Sequence, residues 1–344
     1  MFKPDKMYKR FIKPLLFSLD PETAHRLIFG FLRAGSRIPF LSVLLRTFFI
    51  PRYQTSPIEL FGLKFPHSVG LAAGFDKNAE QIDMLANFGF SHIEIGAVTP
   101  LPQPGNPKPR LFRLPQDKAL INRMGFNNKG LQNAVKNLKK RKSDIIIGAN
   151  IGKNTATPNE KANEDYYKVF EGLHDYVDYF TVNVSCPNVQ NLQELQEEDS
   201  LLELLTGLQK INRTKEKPKP VLLKISPDLT WKQLDETLET VKKTGIDGII
   251  AVNTTKMREG LSSPAEKLIR IGNGGLSGKP LKKRSTEMIR YIREKTGGKL
   301  PVIGVGGIMD KEDLQEKLDA GASLVQVFTG FVYEGPGLVK KLLK

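Results

Sequence analysis

Short apolar runs alternate with longer amphipathic stretches along most of the chain. Eight runs read as strands, at 68–72, 92–95, 145–150, 179–185, 220–225, 248–253, 301–304 and 323–328. Each is apolar, short and mostly bounded by turn residues. Stretches with helical spacing lie between them, for example 231–244 and 284–295, and a helix starting at Pro336 closes the chain. Eight strands alternating with helices over about 275 residues predict a (β/α)8 TIM barrel rather than an open doubly wound sheet. Before the barrel, apolar residues recur at helical spacing: Tyr8, Phe11, Ile12, Leu15 and Leu19, then Ala24, Leu27, Ile28 and Phe31. Asp20-Pro21-Glu22 between the two sets combines an N-cap, a proline at the first helical position and an acid in the first turn. The pattern therefore predicts an N-terminal amphipathic helical segment over 1–55 and a barrel over 56–344. A third apolar stretch, 40–50, is broken by Arg46 and ends at Pro51.

Charge sharpens this division. The 344 residues carry 52 Lys+Arg against 37 Asp+Glu, a net charge of +15. Residues 1–50 hold nine of the basic side chains, Lys3 and Lys6 among them, and only Asp5, Asp20 and Glu22 as acids. Short helices with both basic and apolar residues either cap a core or dip into an anionic membrane interface, and the pattern leaves both open. Lys13 and Pro14 interrupt the first apolar run, so it is not a secretion signal. No apolar run reaches the ~18 residues needed to cross a bilayer. A hydrophobic fraction of 40% excludes a disordered chain, and one cysteine excludes an internal disulfide framework. His25, His67, His92 and His174 lie in no metal-binding spacing, so no metal is expected.

Candidate chemistry gathers where a barrel places it, at the C-terminal ends of the strands. Polar and glycine residues follow the first strand (Ala72-Ala73-Gly74-Phe75-Asp76-Lys77). Asn150, Asn183 and Asn253 end the third, fourth and sixth strands. One such asparagine is an ordinary turn cap, but three on one rim predict a ligand site. Gly306-Gly307 after the seventh strand and Thr329-Gly330 after the eighth suit a phosphorylated ligand. No dinucleotide fingerprint is evident, which favours a mononucleotide such as FMN over NAD. Lys224 ends an apolar strand, where a cation needs an anion or an acceptor. Lys77 after the first strand raises the same question. Cys186, the only thiol, lies in Asn183-Val184-Ser185-Cys186-Pro187-Asn188. A lone cysteine is usually a small buried apolar residue, yet in this loop a base is the better reading, because a thiol titrates near ~8.5.

On these residues the chain resembles the dihydroorotate dehydrogenases, in particular their quinone-dependent, membrane-associated class. The resemblance spans nearly the whole chain. Its strongest stretches are 71–77, Glu94-Ile95-Gly96, 99–113, Asn122-Arg123-Met124-Gly125-Phe126-Asn127-Asn128, 150–154, 253–255, Gly274-Gly275-Leu276-Ser277-Gly278 and 304–308. It implies oxidation of dihydroorotate to orotate in pyrimidine synthesis. A base would take the C5 proton while the C6 hydride passes to FMN, which a quinone reoxidises. It implies FMN contacts from Ala72, Ala73, Gly74, Asp76, Lys77, Ala97, Asn150, Asn183, Lys224, Val252, Gly278, Gly307, Phe328 and Thr329. Lys77, Asn122, Arg123, Met124, Gly125, Phe126, Asn183, Asn188, Asn253 and Thr254 would line the substrate site, with Cys186 as the base. His25 and Arg110 match positions near a quinone tunnel beneath the N-terminal helices. The same resemblance implies a peripheral protein on the cytoplasmic face of the cell membrane. It implies no nucleic-acid partner and leaves the oligomeric state open, a monomer included.

Three departures stand out. Cys186 replaces the serine usual in the membrane class, and is typical of the soluble class that uses fumarate or NAD. Ala97 and Val252 replace threonines that usually contact FMN. Phe328 replaces a tyrosine near the tunnel. The N-terminal segment and the 99–113 and 122–128 stretches side with quinone as acceptor. An FMN-dependent tRNA dihydrouridine synthase shares the barrel, the flavin and an Asn-x-x-Cys-Pro setting, but no C-terminal RNA-binding domain is evident here. A non-catalytic, membrane-binding barrel has no need of Lys77, Asn183, Cys186 and Lys224.

Overall fold

The computed structural model describes residues 7–51, 56–188 and 192–344. Lys3, Asp5 and Lys6 of the N-terminal charges, and the expected join at 52–55, lie outside the described residues. Eight parallel strands close into a barrel in chain order: Val69–Leu71, His92–Val98, Ile146–Ile151, Tyr179–Asn183, Val221–Lys224, Gly248–Ala251, Val302–Val305 and Leu324–Val327. Each matches one of the runs read from the sequence. The intervening helix Trp231–Thr244 begins with a capping box, Thr230 with Gln233, and stops at Gly245 in the left-handed region (φ 72°).

Side chains alternate along each strand between the barrel interior and the helical layer. The outward set forms the main core with the helices. The inward set begins with a tight apolar and aromatic floor that includes Phe65, Tyr179, Leu222, Ile250, Ile303 and Leu324. Neighbouring strands make room for large rings: a Cβ on Gly70 would lie 2.2 Å from the His92 ring, and one on Gly148 2.1 Å from that of Tyr179. Two residues further along the same strands, the inward positions turn polar: Glu94, Asn150, Thr181, Lys224 and Gln326. The alternation thus carries an apolar plug upward into a polar chamber.

Several elements escape the hydrophobic pattern. A hairpin, Ile58–Leu60 with Leu63–Phe65, supplies Phe65 to the barrel floor. A three-stranded antiparallel sheet of Leu111–Leu114, Ala119–Asn122 and Gly275–Gly278 joins residues more than 150 positions apart, and so leaves no local signature. The apolar stretch ending at Pro51 is a helix, Leu41–Phe49, and the closing helix begins at Leu338 rather than Pro336.

The N-terminal helices form as expected, with Asp20 accepting a hydrogen bond from the Thr23 amide at the start of Pro21–Gly35. Tyr8 donates to the Val332 carbonyl (2.7 Å), Arg113 to that of Leu19 (2.7 Å), and Arg110 pairs twice with Glu22 (2.9 and 3.1 Å). Much of their apolar surface nevertheless faces outward. Phe11, Leu15, Leu27, Val43 and Leu44 are exposed, as are Phe31 (71%) and Phe40 (84%). None of the described helices is long and apolar enough to cross a membrane.

Candidate active site

A cavity of about 710 Å³ occupies the C-terminal mouth of the barrel. It runs continuously from Lys224 and Asn183 on the strands to Phe29, Gly30 and Arg33 on the second N-terminal helix. The antiparallel sheet contributes Leu111, Leu120, Asn122, Ser277 and Gly278 to its wall. Every site residue named from the sequence lines it except Arg123. The Arg123 guanidinium instead donates to the carbonyls of Asn273 (2.9 Å), Pro109 (3.0 Å) and Ile271, and lies over Phe112. It braces the segment that presents Asn122 and Met124, with its guanidinium turned away from the cavity.

Asn183 and Lys224 reach the chamber because they end strands whose earlier inward residues are Thr181 and Leu222. Lys224 is almost fully buried, and burial lowers its pKa despite the opposing charge of Glu94. Its ammonium makes no hydrogen bond among the described residues. Asp76, by contrast, is spent on structure. It accepts the Glu80 (2.8 Å) and Gln81 (2.7 Å) amides and shapes the turn after the first strand, and burial raises its pKa to about 6. Lys77 donates to the Gly74 carbonyl (2.8 Å), and burial holds its pKa down at about 8. His25 stacks on Phe29 and bonds the Phe75 carbonyl (2.9 Å); burial, helped by Lys77, lowers its pKa to about 4, so it is neutral near pH 7.

Cys186 is half-buried on the loop after the fourth strand. Two anchors hold that loop. Ser185 donates to the Lys224 carbonyl (2.8 Å) and accepts from Asn253 (3.0 Å). Asn188 donates to the Asn122 Oδ1 (3.3 Å), and its carbonyl accepts from Asn106 (3.0 Å). The thiol is thus fixed between the polar strand ends and the loop that carries Asn122, within electrostatic reach of Lys224.

The residues fit a flavin mononucleotide. Gly306 (φ 120°) and Gly307 (φ 80°) take backbone conformations that disfavour a Cβ, and a Cβ on Gly307 would lie 2.4 Å from that of Lys282. Their two N–H groups have no partner among the described residues, as a phosphate cradle requires. The unpaired Lys224 and the amides of Asn150 and Asn183 offer the polar contacts that a flavin ring needs.

The dihydroorotate dehydrogenase family model matches residues 57–344. The chain belongs to this family. It is 55% identical to a dihydroorotate dehydrogenase (quinone) of Christiangramia forsetii, over 98% of this chain and 97% of that one. It is 47% identical to the enzyme of that name from Coxiella burnetii, over 98% and 96%. The crystal structure of a dihydroorotate dehydrogenase from Eimeria tenella, in complex with ferulenol, superposes with a TM-score of 0.83. The two are 34% identical, over 94% of this chain and 89% of that one. The family is FMN-dependent, and the glycine cradle and Lys224 suit that cofactor.

Within this family site the sequence reading had passed over Glu94 and Gln326, which face the same chamber. The signal was present: each is a polar residue between apolar neighbours within a buried strand, where an unpaired group is costly.

Proposed function

We propose that this chain oxidises dihydroorotate to orotate in pyrimidine synthesis and passes the electrons to a quinone, using the residues around the barrel mouth in the following roles. The observation that carries this reading is the single cavity joining Cys186 and Lys224 to the N-terminal helices. FMN, when bound, supplies the acceptor for the hydride leaving C6 and hands the electron pair on to quinone. The glycines at 306 and 307, with Gly278 and Thr329, hold its phosphate, while Lys224, Asn150 and Asn183 hold its ring. Lys77 pairs with the substrate carboxylate, and the amides of Asn122, Asn188 and Asn253 read the pyrimidine edge. The Cys186 thiolate takes the C5 proton. Burial among Phe75, Phe126 and Phe328 keeps bulk water from the reacting carbons.

His25, Arg110 and the second N-terminal helix line the outer end of the cavity, where an apolar quinone would enter. Residues 1–55 form the access segment and 56–344 the catalytic barrel, a division supported by the family match beginning at residue 57. The exposed apolar side chains among Arg10, Arg26, Arg33, Arg37 and Arg46 support peripheral contact with an anionic leaflet, which would be the cytoplasmic face of the cell membrane.

The decisive test is anaerobic. The FMN-loaded protein should bleach with dihydroorotate, and a soluble quinone should restore the colour faster than fumarate. Failure to bleach removes the reading, whereas faster reoxidation by fumarate moves only the acceptor. Vesicle sedimentation tests the membrane contact separately. The full chain should bind anionic vesicles, and added salt should release it, because the screening length falls to ~10 Å at 0.1 M. Replacing Phe31 and Phe40 together by Asp should abolish binding while leaving bleaching intact. A chain that ignores vesicles uses these helices only as a cap.

A further inference from the structure

Glu94 is fully buried in the second barrel strand, flanked by Ile93 and Ile95, which point into the helical layer. Four side chains donate to its carboxylate. Asn150 reaches Oε1 (2.9 Å), and Gln326 (2.9 Å), Thr181 (3.1 Å) and Tyr179 (3.3 Å) reach Oε2. They come from the third, fourth and eighth strands, so the carboxylate ties together much of the barrel interior beneath the cavity. Its charge also acts on Lys224 of the fifth strand.

A second pattern starts from the same group. Asn150 donates its amide to Glu94 and accepts from Asn183 Nδ2 on Oδ1 (2.9 Å). Asn183 in turn accepts from Asn253 Nδ2 (3.3 Å), and Asn253 Oδ1 accepts the Thr254 backbone N–H (2.9 Å). An asparagine amide can serve either way round, and its orientation is set by its neighbours. Here the chain of three amides starts on a carboxylate, which accepts, and ends on a backbone N–H, which donates. Both ends impose the same direction. Turning over any one amide would set donor against donor and acceptor against acceptor.

We infer that Glu94 is a positioning residue: it fixes the donor–acceptor polarity of the Asn150–Asn183–Asn253 relay and supplies the buried counter-charge of Lys224. This rests on the site assignment proposed above, in which those asparagines and Lys224 meet the flavin and the pyrimidine. Two consequences separate it from a purely packing role. Loss of the anion leaves Lys224 unopposed, which favours the electron-richer, reduced flavin and makes its midpoint potential more positive. Loss of the fixed relay direction weakens recognition of the pyrimidine without altering any residue that touches it.

The test uses the FMN-loaded protein and two readouts besides turnover: the flavin midpoint potential, and orotate affinity from the shift in flavin absorbance. Glu94→Gln keeps the shape and removes the charge. Gln326 can absorb the change, since its buried Oε1 has no partner and its amide can turn to accept. The potential should become more positive, while orotate affinity should stay close to that of the wild type, because the introduced amide oxygen still accepts from Asn150 and the Thr254 N–H still fixes the far end of the relay. Glu94→Asp keeps the charge but draws the carboxylate back by one methylene. Its potential should stay at the wild-type value, while orotate affinity falls about tenfold or more because the bond from Asn150 is lost. It carries the test alone if Glu94→Gln does not fold. Wild-type orotate affinity in Glu94→Asp, or equal shifts of potential in both variants, overturns the assignment. A wild-type protein that binds no orotate overturns instead the site reading on which it rests.

Discussion

Replacing Cys186 by alanine should slow anaerobic flavin reduction by about 10²–10⁴-fold, the usual worth of general-base catalysis, while orotate still binds. Ser185 and Asn188 anchor the loop on either side of the thiol, so the substitution should leave the site standing. Proton transfer is most efficient when the base titrates near the working pH. A thiol, ordinarily near ~8.5, meets that condition far more readily than a serine hydroxyl. A base must be deprotonated to act, so the rate should rise with pH through the titration of the thiol. Cys186→Ser should keep some activity, with its optimum at higher pH. Rapid-mixing absorbance over a range of pH measures all three proteins. Iodoacetamide should inactivate the wild type, and orotate should protect it. An alanine variant that bleaches at the wild-type rate would show that another group takes the proton.

The second large effect concerns Lys77. Among the described residues it forms no ion pair and spends one hydrogen bond on the Gly74 carbonyl. Lys77→Met should weaken orotate binding roughly 30-fold to several thousand-fold. That range corresponds to the ~2–5 kcal/mol lost when one partner of a buried, hydrogen-bonded charge pair is removed. The lysine is charged below its pKa, which burial has lowered to about 8. An anionic ligand favours the charged form. Wild-type affinity should therefore be highest below pH 8 and fall by up to about tenfold per unit above it, while Lys77→Met should be flat over that range. Orotate titrations monitored by flavin absorbance distinguish these outcomes. A wild type without pH dependence above 8 would place the carboxylate elsewhere.

Both effects involve residues that could be read from the chain alone, because barrel topology turns strand order into spatial convergence. Once eight apolar runs are recognised, the residues after each run must share one rim. Lys77, Asn150, Asn183, Cys186, Lys224 and Asn253 could thus be grouped without coordinates, and the alternation of inward and outward positions does the rest. The motif stretches at 99–113 and 122–128 likewise carried the family.

Other features depended on contacts between distant segments. The sheet pairing Gly275–Gly278 with Ala119–Asn122 has no local pattern, because four of the eight barrel strands lie between its partners in the chain. Arg123 sits in a motif beside substrate-facing residues, yet its side chain turns to the carbonyls of Asn273 and Pro109, which only the closed chain brings near. The sequence could show that the N-terminal helices are amphipathic, but an apolar face looks the same whether it meets a barrel or a membrane. Docking through Tyr8, Glu22 and Leu19 settled which part is used inward, and left Phe31 and Phe40 outward. Glu94 is the clearest case. Its sequence context announces a buried polar group, but its four donors come from three other strands, and the direction it gives to the asparagine amides exists only when the barrel is closed. Local pattern determined which residues face the chamber. Hydrogen-bond direction and burial, which depend on partners far apart in the chain, were decided by the tertiary structure.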